Sequence, residues 1–281
     1  MSGDPHRDPN RDPHVGPLVH SDEIPPWLHA LTGDVGAVSE SVNNRGGDRT
    51  RWAQMFRRDR RAAAVLVLFS GSWEAADDHP GGVPADAEVL LTERASTLRQ
   101  HSGQVAFPGG AADPGDDFPV GTALREAREE TGLDASGVHI VANLPTFPVP
   151  PSGFDVVPVI GYWREPSEVR VVDPGETARV DRINLRELLA PENRFQVRRS
   201  VMGGRLYQGP AFFVDGLLVW GFTGGLIAAI SEASCWDRPW DKNDVRPLDE
   251  MIELAGNRQE SGFSAVHPRG TTDPDADPGA S

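Results

Sequence analysis

Apolar residues recur along this chain with two different periods, and each change of period marks an element. Ala63 to Phe69 is a continuous apolar run of strand length. Glu88 to Thr92, Gln104 to Phe107, Val138 to Leu144 and Phe154 to Tyr162 read as further strands, with Pro158 marking an edge or a bulge in the last. Between them Val120, Ala123, Leu124 and Ala127 return at helical spacing, which predicts a helix over Val120 to Thr131. Asp117 is its candidate N-cap, Pro119 is tolerated in the first turn, and Gly132 is a natural left-handed terminator. A second main helix is predicted after the turn that precedes Leu217, with Leu217, Val219, Trp220, Leu226, Ile227 and Ile230 supplying its apolar surface and Thr223 as a candidate cap. Trp27, Leu28 and Leu31 are expected to pack on a surface as part of a short helix. Strands interleaved with two main helices suit an α/β fold, a mixed sheet between helices.

The polar side of the first helix carries the candidate chemistry. Glu126 and Glu130 are four residues apart and stack on one face, with Glu129 beside them. Crowded carboxylates repel, and a divalent cation turns that repulsion into ligation. Magnesium is a hard ion that takes a few carboxylates, waters and substrate phosphates. The bland alternative is a charged, solvated helix face. Upstream, Phe107-Pro108-Gly109-Gly110 supplies flexible backbone, and Asp113-Pro114-Gly115-Asp116 a turn with two more carboxylates.

Gly110 to Leu133 resembles the signature of the Nudix hydrolases: a glycine, five residues, a glutamate, seven residues, then an R-E-U-x-E-E-x-G-U run in which U is aliphatic. Arg125, Glu126, Glu129, Glu130, Gly132 and Leu133 match it. Asp116 stands at the place of the first glutamate, with eight residues before Arg125 instead of seven; Asp117 restores that spacing but shifts the glycine to Ala111. The resemblance implies the α/β/α sandwich of that family, with Mg2+ or Mn2+ held by Glu126, Glu129 and Glu130 for hydrolysis of a substituted nucleoside diphosphate. It also implies that Arg125 clamps a loop carboxylate.

Leu90 to Gly110 resembles the second signature of the coenzyme A-cleaving branch of that family. Leu90, Leu91, Thr92, Arg94, Arg99, His101, Gly103, Val105, Phe107, Pro108, Gly109 and Gly110 fall on it, and Ala95 stands where serine is frequent. The segment from Pro150 to Gly161 and the W-G-x-T at Trp220, Gly221 and Thr223 extend the resemblance thinly. What it implies is cleavage of coenzyme A, and of acyl derivatives, to 3',5'-ADP and 4'-phosphopantetheine. Arg94 and Arg99 would grip the 3'-phosphate or the diphosphate, Gly109 and Gly110 would border the substrate, and His101 would contact phosphate or hold the glycine turn. Glu126 or Glu176 would take the proton of the attacking water, with Glu176 alternatively completing the metal site; Glu176 reads equally as a turn carboxylate bound to Arg179 or Arg182. Two other readings stay open: a Nudix hydrolase of ADP-ribose or NADH, and a non-catalytic ligand-binding protein of the same fold.

Composition sharpens this only at the edges. The 281 residues contain 30 glycines and 25 prolines, many of them near the ends. One catalytic domain is expected over residues 23–256, between disordered tails at 1–22 and 257–281. A net charge of -15 argues against nucleic acid as a partner. It leaves a small-molecule diphosphate as the expected one, with a homodimer left open. The arginines from Arg49 to Arg61 are either surface residues answering abundant acids or a phosphate-attracting patch. The lone Cys235 is expected to be buried beside Trp236. No apolar run is long enough for a membrane span and no signal peptide core is evident, so a cytoplasmic location is expected.

Overall fold

The computed structural model describes residues 13–45, 60–95, 103–149, 152–201 and 205–260. Strand β2 (Arg61–Ser70) organises the larger sheet, because its apolar run is buried on both faces. Ala64, Leu66 and Leu68 pack in one apolar cluster with Ala123 and Ala127 of helix α3 (Val120–Thr131). Val67 and Phe69 pack in another, with Leu226, Ile227 and Ile230 of α5 (Gly221–Ala233). Strand β8 (Phe154–Trp163) repeats the division: Val159 and Trp163 lie with α3, Ile160 and Tyr162 with α5. The side-chain period of two thus gives the sheet two apolar faces, and a helix covers each.

β2 and β8 run parallel in register from Arg61↔Phe154 to Phe69↔Tyr162. Around them the order is β1 (Gly16–Pro17), β6 (Val138–Asn143), β8, β2, β3 (Glu88–Arg94), β4 (Val105–Ala106). β5 (Gly109–Ala111) also pairs with β2, β7 (Phe147–Val149) with β8, and β9 (Thr177–Asn184) with β3. These other pairs are antiparallel, so the sheet is mixed and the fold is the expected α/β/α sandwich. A smaller sheet, β12 (Leu217–Val219), β11 (Arg205–Val214), β10 (Arg194–Val201) and β13 (Val245–Pro247), is covered by α6 (Leu248–Glu260) through Phe195, Val197, Leu248 and Met251. Among the described residues no helix is long and apolar enough to cross a membrane.

Several expectations are corrected. Trp27, Leu28 and Leu31 are core residues and not a surface patch, at most 1% exposed. Trp27 sits 5.7 Å from Trp236, whose indole N–H donates to the Trp27 carbonyl at 3.0 Å. Part of the expected N-terminal tail belongs to the sheet: Gly16–Pro17 pair as β1 with Asn143 and Ala142, satisfying edge backbone groups of β6. At the other end α6 continues to Glu260 and crosses the expected boundary at 256. Pro158 lies on a central strand, where the partner on one side changes from β7 (up to Val156) to β6 (from Val159), a gap that tolerates a missing N–H. Thr223 is buried inside α5, and Asp117 does not cap α3, whose N-cap position is Pro119. Cys235 is exposed in a left-handed turn, because its chain reverses there to insert Trp236.

Candidate active site

Helix α3 lies close to β5 because its sheet-facing side carries small residues. Thr122, Ala123, Ala127 and Thr131 are buried there, and Ala123 and Ala127 are fully covered. The helix stops at Gly132, which takes φ 70° and donates its N–H to the Arg128 carbonyl at 2.9 Å. Predicted ends and observed ends coincide.

Two carboxylates, one helical turn apart, meet two consecutive glycines. The N–H of Gly109 donates to Glu130 Oε2 at 3.2 Å. Beside it, a Cβ at Gly110 would fall 2.5 Å from the carboxyl of Glu126. At Gly109 a Cβ would fall 2.4 Å from the carbonyl oxygen of Ala64 on β2. The two glycines are therefore needed for close approach, one to the carboxylate and one to the sheet.

Arg125 ties the rest together. Its Nε donates to Asp116 Oδ1 at 3.1 Å, and one terminal nitrogen donates to Asp116 Oδ2 at 3.0 Å and to the Ala111 carbonyl at 2.9 Å. The other terminal nitrogen bridges Glu126 Oε1 at 3.0 Å and Glu129 Oε2 at 3.1 Å. Arg125 thus clamps a loop carboxylate, as its place in the signature implied. Asp116 also accepts from the Thr122 hydroxyl at 2.8 Å and from the Asp113 N–H at 3.0 Å. The Arg125 hydrogen bonds, despite some desolvation, hold its carboxyl down to a pKa of about 2.

The helix carboxylates are displaced in the opposite sense. Burial raises Glu126, against the pairing with Arg125, with help from the charges of Glu129 and Asp113. Burial also pushes Glu130 up to about 7; the Gly109 bond and Arg94 oppose this, while Glu126 and Glu176 add to it. Glu130 is therefore a partly buried carboxylate among like charges.

Of the predicted site residues, Glu126, Glu130, Gly109 and Gly110 come together directly. Arg94 and Glu176 are near enough for their charges to act on Glu130. Arg94 follows a register shift after Glu93 at the end of β3, and its Nε is buried with no hydrogen-bond partner among the described residues. The chain is fixed there by Arg94 N–H to Gln104 O at 3.0 Å and Gly103 N–H to Arg94 O at 3.1 Å. Glu176 sits in the turn before β9, where its carbonyl accepts from Ala95 at 2.9 Å. Arg179 pairs with Asp181 at 2.6 Å and Arg182 with Glu88 at 2.5 Å, so neither engages Glu176 in the way the turn alternative required. Glu129 lies on the flank, its side chain about half exposed. Arg99 and His101 lie outside the described residues, as does most of the arginine patch; Arg60 is paired with Asp155 at 3.1 Å.

Among the described residues, no three carboxylates, histidines or cysteines already close round an ion. The physical reason is visible: Arg125 sits between Glu126 and Glu129 as an internal counter-cation. The donor set nevertheless fits a hard divalent ion. Glu126, Glu129 and Glu130 offer oxygen only, Arg125 engages one oxygen of Glu126 and one of Glu129, and the burial that raises Glu130 would be offset by a cation. Thr122 and the Asp113 N–H, which complete the clamp, were missed in the sequence; the three-residue spacing of Thr122 and Arg125 on α3 is the signal that could have found Thr122, whereas a loop backbone donor leaves none.

Comparison with known proteins agrees with this architecture. The NUDIX domain family matches residues 59–202, half of the chain. Nudix hydrolase 15, mitochondrial, of Arabidopsis thaliana is 34% identical over 186 residues, covering 65% of this chain but only 61% of that protein. An uncharacterized Nudix hydrolase NudL of Yersinia enterocolitica is 35% identical over 147 residues, 51% of this chain and 72% of its own. The crystal structure of a Nudix hydrolase from M. smegmatis, RenU, matches 46% of this chain and 73% of its own with 26% identity and a TM-score of 0.35. The chain belongs to the Nudix hydrolase family.

Proposed function

We propose that the protein is a divalent-metal-dependent pyrophosphohydrolase acting on a nucleoside diphosphate derivative, and that its substrate is coenzyme A, cleaved to 3',5'-ADP and 4'-phosphopantetheine. One observation carries the reaction class: Glu130, partly buried and with its carboxyl pushed up to about 7, accepts from the β5 backbone beside Glu126 and within the field of Glu176. The finer choice of coenzyme A is supported by the residues from Leu90 to Gly110, with the charge of Arg94 felt at Glu130.

In this reading Glu126, Glu129 and Glu130 hold Mg2+ or Mn2+. When bound, such an ion would supply charge neutralisation for the diphosphate and would lower the pKa of a water for attack on phosphorus. The chain supplies position. Arg94 offers a buried guanidinium N–H to the diphosphate. Gly110 leaves the space beside the Glu126 carboxyl free of a side chain, and Gly109 lets β5 lie close against β2 beneath it. Glu176, exposed and not engaged by Arg179 or Arg182, takes the proton of the attacking water.

The test is product analysis by mass spectrometry. Coenzyme A, dephospho-coenzyme A, ADP-ribose and NADH are offered separately with Mg2+ or Mn2+, with Glu130→Gln as the blank. Conversion of coenzyme A to 3',5'-ADP, lost in the blank, is the expected result. Turnover of ADP-ribose or NADH alone would move the substrate elsewhere in the family, and tight binding without hydrolysis would make the protein a ligand-binding member.

A further inference from the structure

Helix α5 begins without a cap. Trp220 stands at its N-cap position in extended backbone, and its indole can donate a hydrogen bond but accept none from the first turn. The N–H of Gly224 donates to the Trp220 carbonyl at 3.2 Å. Those of Gly221, Phe222 and Thr223 have no acceptor among the described residues. A Cβ at Gly221 would meet nothing within 4 Å, so the space beside this end is open.

A second observation points to a ligand. Thr223, the third residue of the helix, is only 6% exposed, and its hydroxyl has no hydrogen-bond partner among the described residues. A helical side chain leans toward the N-terminus, which carries this hydroxyl to the level of the free N–H groups. Burying a hydroxyl without a partner is costly, and at an open helix end the partner can come from outside.

The register of the smaller sheet adds a cation. Gly224 packs on β11, where a Cβ would lie 3.0 Å from the Pro210 carbonyl. Pro210 pairs with Gln196, and the next pair on the same face is Gln208 with Arg198. That face is turned to α5: Arg194, in step with Arg198, lies over the ring of Phe212, which packs in the α5 cluster. Arg194 is linked through Asp237 to Ser231, near the C-terminal end of α5, so β10 runs from there toward the N-terminal end. Arg198 therefore stands roughly 7 Å beyond the level of Gly224, at the uncapped end. It is exposed and has no ion pair among the described residues, in a chain of net charge -15.

We propose that the uncapped end of α5, with the Thr223 hydroxyl and Arg198, is a binding site for a phosphate group, separate from the carboxylate site on α3. The two helices cover opposite faces of the larger sheet. Three backbone N–H groups, the positive end of a 13-residue helix, one hydroxyl and one guanidinium match the acceptor oxygens and the charge of a phosphate. The group belongs either to a free phosphomonoester or to the remote 3'-phosphate of the substrate. The site itself does not depend on the reaction assigned to the carboxylates.

The experiment titrates inorganic phosphate into the metal-free full chain and follows it by calorimetry and by the amide resonances of Gly221, Phe222 and Thr223. Without metal the α3 carboxylates repel the probe, so binding reports the α5 end. Saturable binding that shifts those three resonances is expected. Thr223→Val and Arg198→Ala should each weaken it about tenfold, the scale of one charge-assisted hydrogen bond, and Thr223→Ser should retain it. Absence of saturable binding, or wild-type affinity in either folded variant, would overturn the proposal. Arg198 is exposed, so its substitution decides the matter should Thr223→Val not fold. Steady-state kinetics then separate the two sources. If the substrate's own phosphate sits here, Arg198→Ala raises KM for coenzyme A and not for dephospho-coenzyme A; if a free phosphomonoester does, both KM values stay unchanged and that compound displaces inorganic phosphate. Phosphate binding in a protein that cleaves none of the substrates would leave this inference standing while the proposed reaction fell.

Discussion

Gly109 and Glu130 are 21 residues apart in sequence and joined by one hydrogen bond, from the backbone N–H of β5 to Oε2 at 3.2 Å. That bond opposes, without overcoming, the burial that raises the Glu130 carboxyl from 4.5 to about 7. Stability and activity are set against each other at this residue.

The first prediction concerns the metal-free protein. Between pH 4.5 and about 7 folded Glu130 keeps a proton that the unfolded chain has released, so the folded state is favoured at low pH and this contribution is lost as pH rises through 7. Glu130→Gln removes the penalty of ionising this desolvated carboxylate, which by linkage is about 3 kcal/mol above pH 7. With a chelator present, the variant should melt above wild type at pH 8 and converge with it near pH 4.5. Turnover should be nearly abolished at every pH. A variant that melts below wild type at pH 8 would show that Glu130 is ionised and satisfied in the free protein.

Glu176 can be told apart from the metal carboxylates. If it takes the proton from water, Glu176→Gln lowers kcat by about 10²-fold or more, the range typical of general-base loss. Mn2+ affinity should stay within about twofold, since hydrogen-bonding geometry is largely preserved. A joint fall in Mn2+ affinity and kcat would instead make Glu176 a ligand.

Arg94 poses a question of which phosphate it meets. Its charge acts on Glu130, which places it toward the diphosphate. Arg94→Ala should raise KM by about tenfold or more, the loss of a charge-assisted hydrogen bond, to the same extent for coenzyme A and dephospho-coenzyme A. Loss of discrimination between those two substrates would assign Arg94 to the 3'-phosphate.

Gly110→Ala tests the close approach directly. The new methyl would lie 2.5 Å from the Glu126 carboxyl, so that carboxyl must move. We expect kcat and Mn2+ affinity to fall with a small change in melting temperature. Gly109→Ala, which meets backbone of β2 at 2.4 Å, should instead lower the melting temperature.

Much of this was readable before the fold. The spacing of Val120, Ala123 and Ala127 with Gly132 gave both ends of α3, because a buried face and a left-handed cap are local properties. The same spacing set Glu126 and Glu130 one turn apart, and the family signature followed from residue identity alone. Burial of Trp27 was not readable, since its partners Phe69 and Trp236 are distant in sequence. Nor was the position of Pro158 inside a central strand, which depends on where β7 hands over to β6.

By itself, then, the chain's order of residues determined β2, β3, β4, β6, β8 and the signature helix, which rest on periodicity and side-chain type within short windows, while the class of chemistry followed from the resemblance to a family signature. Only the tertiary structure decided the relations between windows. It brought Arg94 and Glu176 into the field of Glu130, sent Arg179 and Arg182 to Asp181 and Glu88, and delivered Asp116 and not Asp117 to Arg125. The reason is physical: helix spacing is fixed by backbone hydrogen bonds, whereas the partner of a charge is whichever group the packed sheet and its loops carry into reach.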